Sequence, residues 1–165
     1  MRLIIILLIL SAKSYCCTCV GTSTLKEEIK YSKLIFVGKL IEKKTVIWSD
    51  SLYLKRKSFK GNKRSYNKVQ NYYSNFNLIK IQYTFEVKYK FKGKIKKNKI
   101  TLISGIGGSD CGFIFDINKD YIVFAGNNFR PNINNGKREC FFETDICTRT
   151  RLFSKDFFEE IKKMK

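Results

Sequence analysis

The 165-residue chain contains no histidine and one proline, and its 14 acidic residues are outnumbered by 33 lysines and arginines. Without histidine no Ser-His or Cys-His pair can activate a nucleophile, and no imidazole can hold a metal. The glycine segment Ser104-Gly105-Ile106-Gly107-Gly108-Ser109 lacks the lysine of a phosphate loop and the helix pattern that should follow it, so it reads as a turn leading up to Cys111. Asp110, Asp116 and Asp120 fall at loop positions. No catalytic constellation emerges; the chain is not expected to be an enzyme or to need a cofactor or metal of its own. Long apolar runs are also missing. The longest, "LIIILLIL" from Leu3 to Leu10, is far short of the roughly 20 residues a helix needs to cross about 30 Å of hydrocarbon. Placed after Met1-Arg2 and before a polar stretch, it reads as the core of a signal peptide covering residues 1–16. The product is then secreted and extracellular, with no transmembrane segment after processing. Ser14 and Cys16 are small residues suited to a cut before Cys17; Leu10 and Ala12 suit a cut before Lys13 less well.

Export changes what cysteines do, because thiols pair in an oxidising compartment. With Cys17 as the first mature residue, Cys17, Cys19, Cys111, Cys140 and Cys147 remain, an odd set. A structural zinc site is the rival explanation. It is disfavoured by the absence of histidine and by the one-residue gap between Cys17 and Cys19, where two to four is usual. Lipidation at Cys16 or Cys17 would require a Leu-small-small lead-in that "KSYCC" does not supply.

The net charge is +19, and much of it lies in two runs, Leu54 to Arg64 and Lys88 to Lys99. Such runs can attract sulfated glycans or anionic surfaces through their summed potential. Lysine is abundant throughout the chain, however, and solvated strand faces carry it routinely. A nucleic-acid partner is not expected for an exported chain.

The middle of the sequence alternates with a period of two, the pattern of half-buried strands. The clearest runs are Leu34 to Trp48, Leu78 to Gly93, Lys96 to Gly105 and Asp120 to Asn127, with a shorter strand around Cys140 to Ile146. Gly38 inside the first run marks a bulge or bend. Thr24, three residues before Glu27, predicts a capping box for one helix, and Ser154 is placed to cap a second, "SKDFFEEIKKMK". Asp50 to Asn77 is polar and basic and reads as a long mobile connection or hairpin tip. Short strands and few helices favour a closed antiparallel β-barrel.

Five segments, in order, together with the opening "CTCV" (Cys17 to Val20), carry a family likeness: "LIFVGKL", "YTFEVKYKFKG", "SDCGFIF", "KDYIVFAG" and "TDICTRTRLF". They resemble the N-terminal inhibitory domain of the tissue inhibitors of metalloproteinases and the wider group of netrin-like modules. The match covers nearly all of residues 17–165, as one domain. The resemblance implies a mainly β fold, an OB-fold with a five-stranded Greek-key barrel and flanking helices, stapled by disulfides Cys17–Cys111 and Cys19–Cys147. It implies that the amino nitrogen and carbonyl oxygen of Cys17 chelate the zinc of a target protease, the partner. Thr18 would enter the pocket beside the metal, with Cys19, Val20, Ser109 and Asp110 in contact around it. Two departures stand out. The family's third N-terminal bridge and its six-cysteine C-terminal domain have no counterpart, and Cys140 is left as a buried thiol, an intermolecular bridge or a partner for Cys16. Some netrin-like modules inhibit nothing, so a binding module for glycans, matrix or membrane surfaces is the alternative.

Overall fold

A computed structural model of the chain describes residues 19, 23–47, 60–74, 79–95, 97–107, 110–131 and 136–164, apart from the side chains of 70 and 72–74. It is mainly β. The strands are β1 (Leu34–Ile47), β2 (Ile79–Lys92), β3 (Lys99–Ser104), β4 (Asp120–Pro131), β5 (Arg138–Glu143) and the two-residue β6 (Arg151–Leu152). They form one sheet in the order β1-β2-β3-β5-β4-β6, and β1 returns to pair with β4. The first five strands thus run round a partly closed ring. The β1–β4 seam is antiparallel from Leu34↔Ala125 to Lys39↔Asp120. The β3–β5 seam is narrow and parallel, made by Leu102↔Phe142 and Ile103↔Glu143. The sixth strand, not expected from the sequence, extends the β4 side through Tyr121↔Leu152 and Ile122↔Arg151.

Period-two alternation explains how a ring forms from these residues. Tyr121, Val123 and Ala125 of β4 point inward, beside Leu34, Phe36 and Leu40 of β1 and Ile81, Tyr83 and Phe85 of β2. Phe115 is the aromatic hub of that interior, 4.7 Å from Tyr83, 5.1 Å from Phe85 and 4.8 Å from Tyr121 between ring centroids, all edge to face. The intervening Ile122 and Phe124, with Ile35 and Val37, point outward into a second core. Because both faces of β4 are covered there, its first half reads as an unbroken apolar run.

To let β1 face two neighbours, the strand must bend. Register shifts in its pairing with β2 fall at Ile35/Phe36, Val37/Gly38 and Leu40/Glu42. At Gly38 a Cβ would lie 2.9 Å from the Glu86 carbonyl oxygen and 2.9 Å from the Phe36 ring, so only glycine allows the strands to approach this closely.

Helices α1 (Leu25–Tyr31) and α3 (Lys155–Lys163) cover the outer core with Leu25, Phe157 and Ile161. Thr24 and Glu27 form the expected capping box. The Thr24 backbone and side-chain donors hold the Glu27 carboxyl below its usual range. A depressed carboxylate favours the folded state above its unfolded value, so this contribution fades as pH falls through the lowered one. Ser154 occupies the N-cap position of α3 but makes no side-chain cap bond. The span read as a connection, Asp50 to Asn77, instead contains a helix, α2 (Lys63–Ser74). Asn62 starts it by accepting the Ser65 N–H at 2.9 Å, and fully buried Val69 anchors it against Ile103, with Val46, Tyr66 and Phe141 around it.

Candidate functional site

The candidate site is built where β3 and β5 end and the chain comes in from its N-terminal side. Ser104, the last residue of β3, is fully buried. Its hydroxyl donates to the Thr144 carbonyl at 2.8 Å and accepts the Phe113 N–H at 2.8 Å, tying three segments together. Beside it, Thr144 donates to the Phe124 carbonyl at 2.8 Å, and Thr150 accepts the Phe124 N–H at 2.9 Å. The hydroxyls of Thr144, Thr148 and Thr150 lie 2.9 to 3.0 Å apart. Buried hydroxyls with complete partners fix a backbone path, because leaving any of them unmade costs desolvation without return. Replacing Ser104 with alanine should therefore cost about 1–3 kcal/mol in denaturant unfolding, since a buried carbonyl and a part-buried N–H lose their shared partner. A change under about 0.5 kcal/mol would mean that the 104–113–144 junction is not fixed by this hydroxyl.

On this platform sit two cysteine segments side by side. The Cys111 carbonyl accepts the Ile146 N–H at 2.9 Å, and Gly112 pairs with Asp145 in an isolated bridge. Cys111 itself has φ of +55°, a left-handed conformation uncommon for a side-chain-bearing residue. The turn before it is organised by Asp110, whose carboxylate accepts the N–H groups of Ile106 at 2.8 Å, Gly107 at 2.9 Å and Gly112 at 3.2 Å. A Cβ at Gly105 would lie 2.2 Å from Asp110 Oδ2, and one at Gly112 would lie 2.2 Å from the Gly105 carbonyl carbon. Backbone therefore packs directly on backbone here. Asp145 plays the matching part on the other segment, accepting the N–H groups of Cys147 at 2.8 Å and Thr148 at 3.0 Å.

Cys147 is bonded to Cys19, with Cα atoms 5.3 Å apart across a sequence separation of 128. Cys111 is also disulfide-bonded, to a residue outside the described ones. Four residues beyond Cys19, the Ser23 carbonyl accepts from the Arg149 guanidinium, through Nε at 3.0 Å and through a terminal nitrogen. The incoming chain is thus fixed at Cys19 by a covalent bond and at Ser23 by a cation, immediately before the capped helix α1. Cys19, Ser23, Ile146, Thr148 and Arg151 line a groove of about 250 Å³ at this junction. Ile146 in its lining is a large apolar side chain left exposed.

Among the residues singled out from the sequence, the structure brings together Cys19, Cys147, Cys111 and Asp110. The Asp110 carboxylate is committed to its own loop, which it holds in one shape. Cys17, Thr18, Val20 and Ser109 lie outside the described residues, as does the Cys17 end of the expected Cys17–Cys111 bond. Cys140 is a free thiol, exposed on β5 instead of buried. Sequence reading missed Arg149 and the threonine platform. The signal was present in "TDICTRTRLF", where hydroxyls recur at 144, 148 and 150 around one cysteine. Among the described residues there is no group of three or more His, Cys, Asp or Glu that could hold a metal ion, and no helix is long and apolar enough to cross a membrane. No family model and no curated protein matches this chain.

Proposed function

We propose that the chain is a secreted inhibitor of zinc metalloproteinases, not an enzyme, acting through an N-terminal ridge that begins at Cys17. The observation that carries the reading is the Cys19–Cys147 disulfide, set beside a second bonded cysteine, Cys111, on a platform of completed hydrogen bonds. A catalytic zinc in a protease has three protein ligands and one open position. A terminal amine has a pKa near 7.7–8.0 and keeps a useful neutral fraction at physiological pH, whereas a lysine near 10.4 does not. The Cys17 amine and carbonyl can together fill the open position of the partner's metal. Rigid attachment two residues later reduces the ordering cost of that contact. Thr18 then enters the neighbouring pocket, with Val20, Ser109 and the Asp110 loop flanking it. The protein needs no metal of its own for this.

The fold proposed for this function is the five-stranded OB barrel. It is supported by the ring order β1-β2-β3-β5-β4, the return of β1 to β4 and the parallel β3–β5 seam. The alternative is a non-inhibitory netrin-like module that binds glycans, matrix or membrane surfaces, favoured by the lysine run from Lys88 to Lys99. N-terminal sequencing of the exported protein separates the two. A chain beginning at Cys17 is expected; one beginning at Lys13 places residues in front of the amine and contradicts chelation.

A further inference from the structure

Between Glu86 and Asp110 the sequence carries seven lysines, from Lys88 to Lys99, with no acid and no arginine. Six of them sit on one hairpin; Lys96 lies outside the described residues. The β2–β3 ladder ends at Glu86↔Lys99, with Val87 N–H donating to the Asn98 carbonyl at 2.7 Å, while β2 stays paired to β1 as far as Lys92. Among the described ones, Lys88 and Lys92 have structural partners. Lys88 meets Asp120 at 2.7 Å, and Lys92 donates to the Ile29 and Lys30 carbonyls at the end of α1, at 2.7 and 2.9 Å. Lys90, Lys94, Lys97 and Lys99 are exposed, and none meets a carboxylate among the described residues.

Lys90 and Lys97, together with the Asp120-paired Lys88, line a groove of about 250 Å³. Its floor is Val87 and Ile95, both packed against the barrel interior. Its rim is Lys88, Lys90, Lys97 and Asn98, and the half-exposed Tyr89 lies along it. Lys162 of α3 stands over the Tyr89 ring at 5.9 Å while paired with Glu159 at 3.5 Å. Lys88 and Lys90 are two residues apart on a strand, hence about 6.6–6.8 Å apart along it. Cations spread along a ridge in this way suit a repeating anion more than a single one.

We infer that the Lys88 to Lys99 hairpin is a binding site for a linear sulfated polysaccharide. Ammonium groups are compact point charges that attract the oxyanions of a polymer, whereas reading base edges in a nucleic acid favours the arginine fork that this segment lacks. Tyr89 is held in place by Phe91 and Phe158, 4.8 and 5.1 Å away between ring centroids, so the exposed lysines Lys90, Lys94, Lys97 and Lys99 carry the contact with the polymer. A lipid surface fits less well, since the apolar floor is committed to the barrel and leaves no wedge to insert among acyl chains. The site lies on a different hairpin from the cysteine ridge and does not depend on inhibition. It gives the binding-module reading a definite location.

The test uses the full mature chain and a heparin-derived oligosaccharide, with affinity measured by calorimetry at physiological salt, where screening over about 8 Å suppresses diffuse charge. Changing Lys90, Lys94 and Lys97 together to glutamine should weaken binding about tenfold or more. The same change at Lys26, Lys68 and Lys155, all exposed elsewhere, should weaken it less than about threefold. Arginine at 90, 94 and 97 should retain binding within about threefold, which guards against a folding defect in the glutamine variant. Equal losses from the two glutamine sets would overturn the site, as would equal binding of a desulfated oligosaccharide of the same length. So would hairpin-dependent binding to anionic phospholipid vesicles with no hairpin dependence for heparin.

Discussion

Placing one alanine before Cys17, or acetylating the Cys17 nitrogen, is expected to abolish inhibition of matrix-type metalloproteinases while leaving the fold and the Cys19–Cys147 bond intact. An amide nitrogen is a poor zinc ligand, and an added residue would occupy the metal's open position. The loss should be about 1,000-fold or more, on the order of 4 kcal/mol at tenfold per 1.4 kcal/mol. Thr18→Gly provides the internal scale. It empties the adjacent pocket without touching the chelate, so it should cost about tenfold, varying from protease to protease. If the two changes cost the same, the side-chain pocket and not the metal contact would be the source of affinity.

Removing the Cys19–Cys147 bridge, by changing both residues to serine, is expected to cost up to about 5 kcal/mol of folding stability. The bond closes a loop with a sequence separation of 128, and the chain-entropy argument assigns about that much to a loop so long. Native bridges are typically worth about 2 to 5 kcal/mol, so a loss of unfolding free energy in that range, from urea titration, supports the account. Cys140→Ser is the matched control. That thiol is exposed and free, and its loss should change stability by no more than about 0.5 kcal/mol. The bridge also has a local effect. Without it, the described segment before α1 is held by Arg149 on the Ser23 carbonyl, and inhibition should weaken even where the barrel stays folded. A bridge-free protein of unchanged stability and potency would contradict the role of the ridge as a rigid element.

The strands were legible because a half-buried strand writes its burial into alternate residues: β1, β2, β3 and β4 fall within a few residues of the apolar runs that predict them. The Thr24 and Glu27 cap was legible for a similar reason, since both partners lie within one helical turn. Closure of the ring was harder to read. It depends on β1 pairing two strands at once, and that follows from bulges at Val37/Gly38 and Leu40/Glu42, of which only the glycine left a mark in the sequence. The α2 helix went unread because its apolar face is narrow. Val69 is the one fully buried side chain among those described in it, and the rest of the segment reads as polar as a loop. At the site, cysteine spacing pointed to the right segments. The Ser104 and threonine hydroxyls that position them looked like ordinary polar residues, because their partners are backbone groups up to 40 positions away.

The central claim is that this chain stops a zinc metalloproteinase by presenting a free Cys17 amine. The most direct measurement is the residual activity of a matrix-type metalloproteinase titrated with protein whose N-terminus has been verified as Cys17. The account predicts a linear fall to complete inhibition near one inhibitor per enzyme. Full activity across a panel of such proteases at large molar excess would contradict it, and the binding-module reading would then stand in its place.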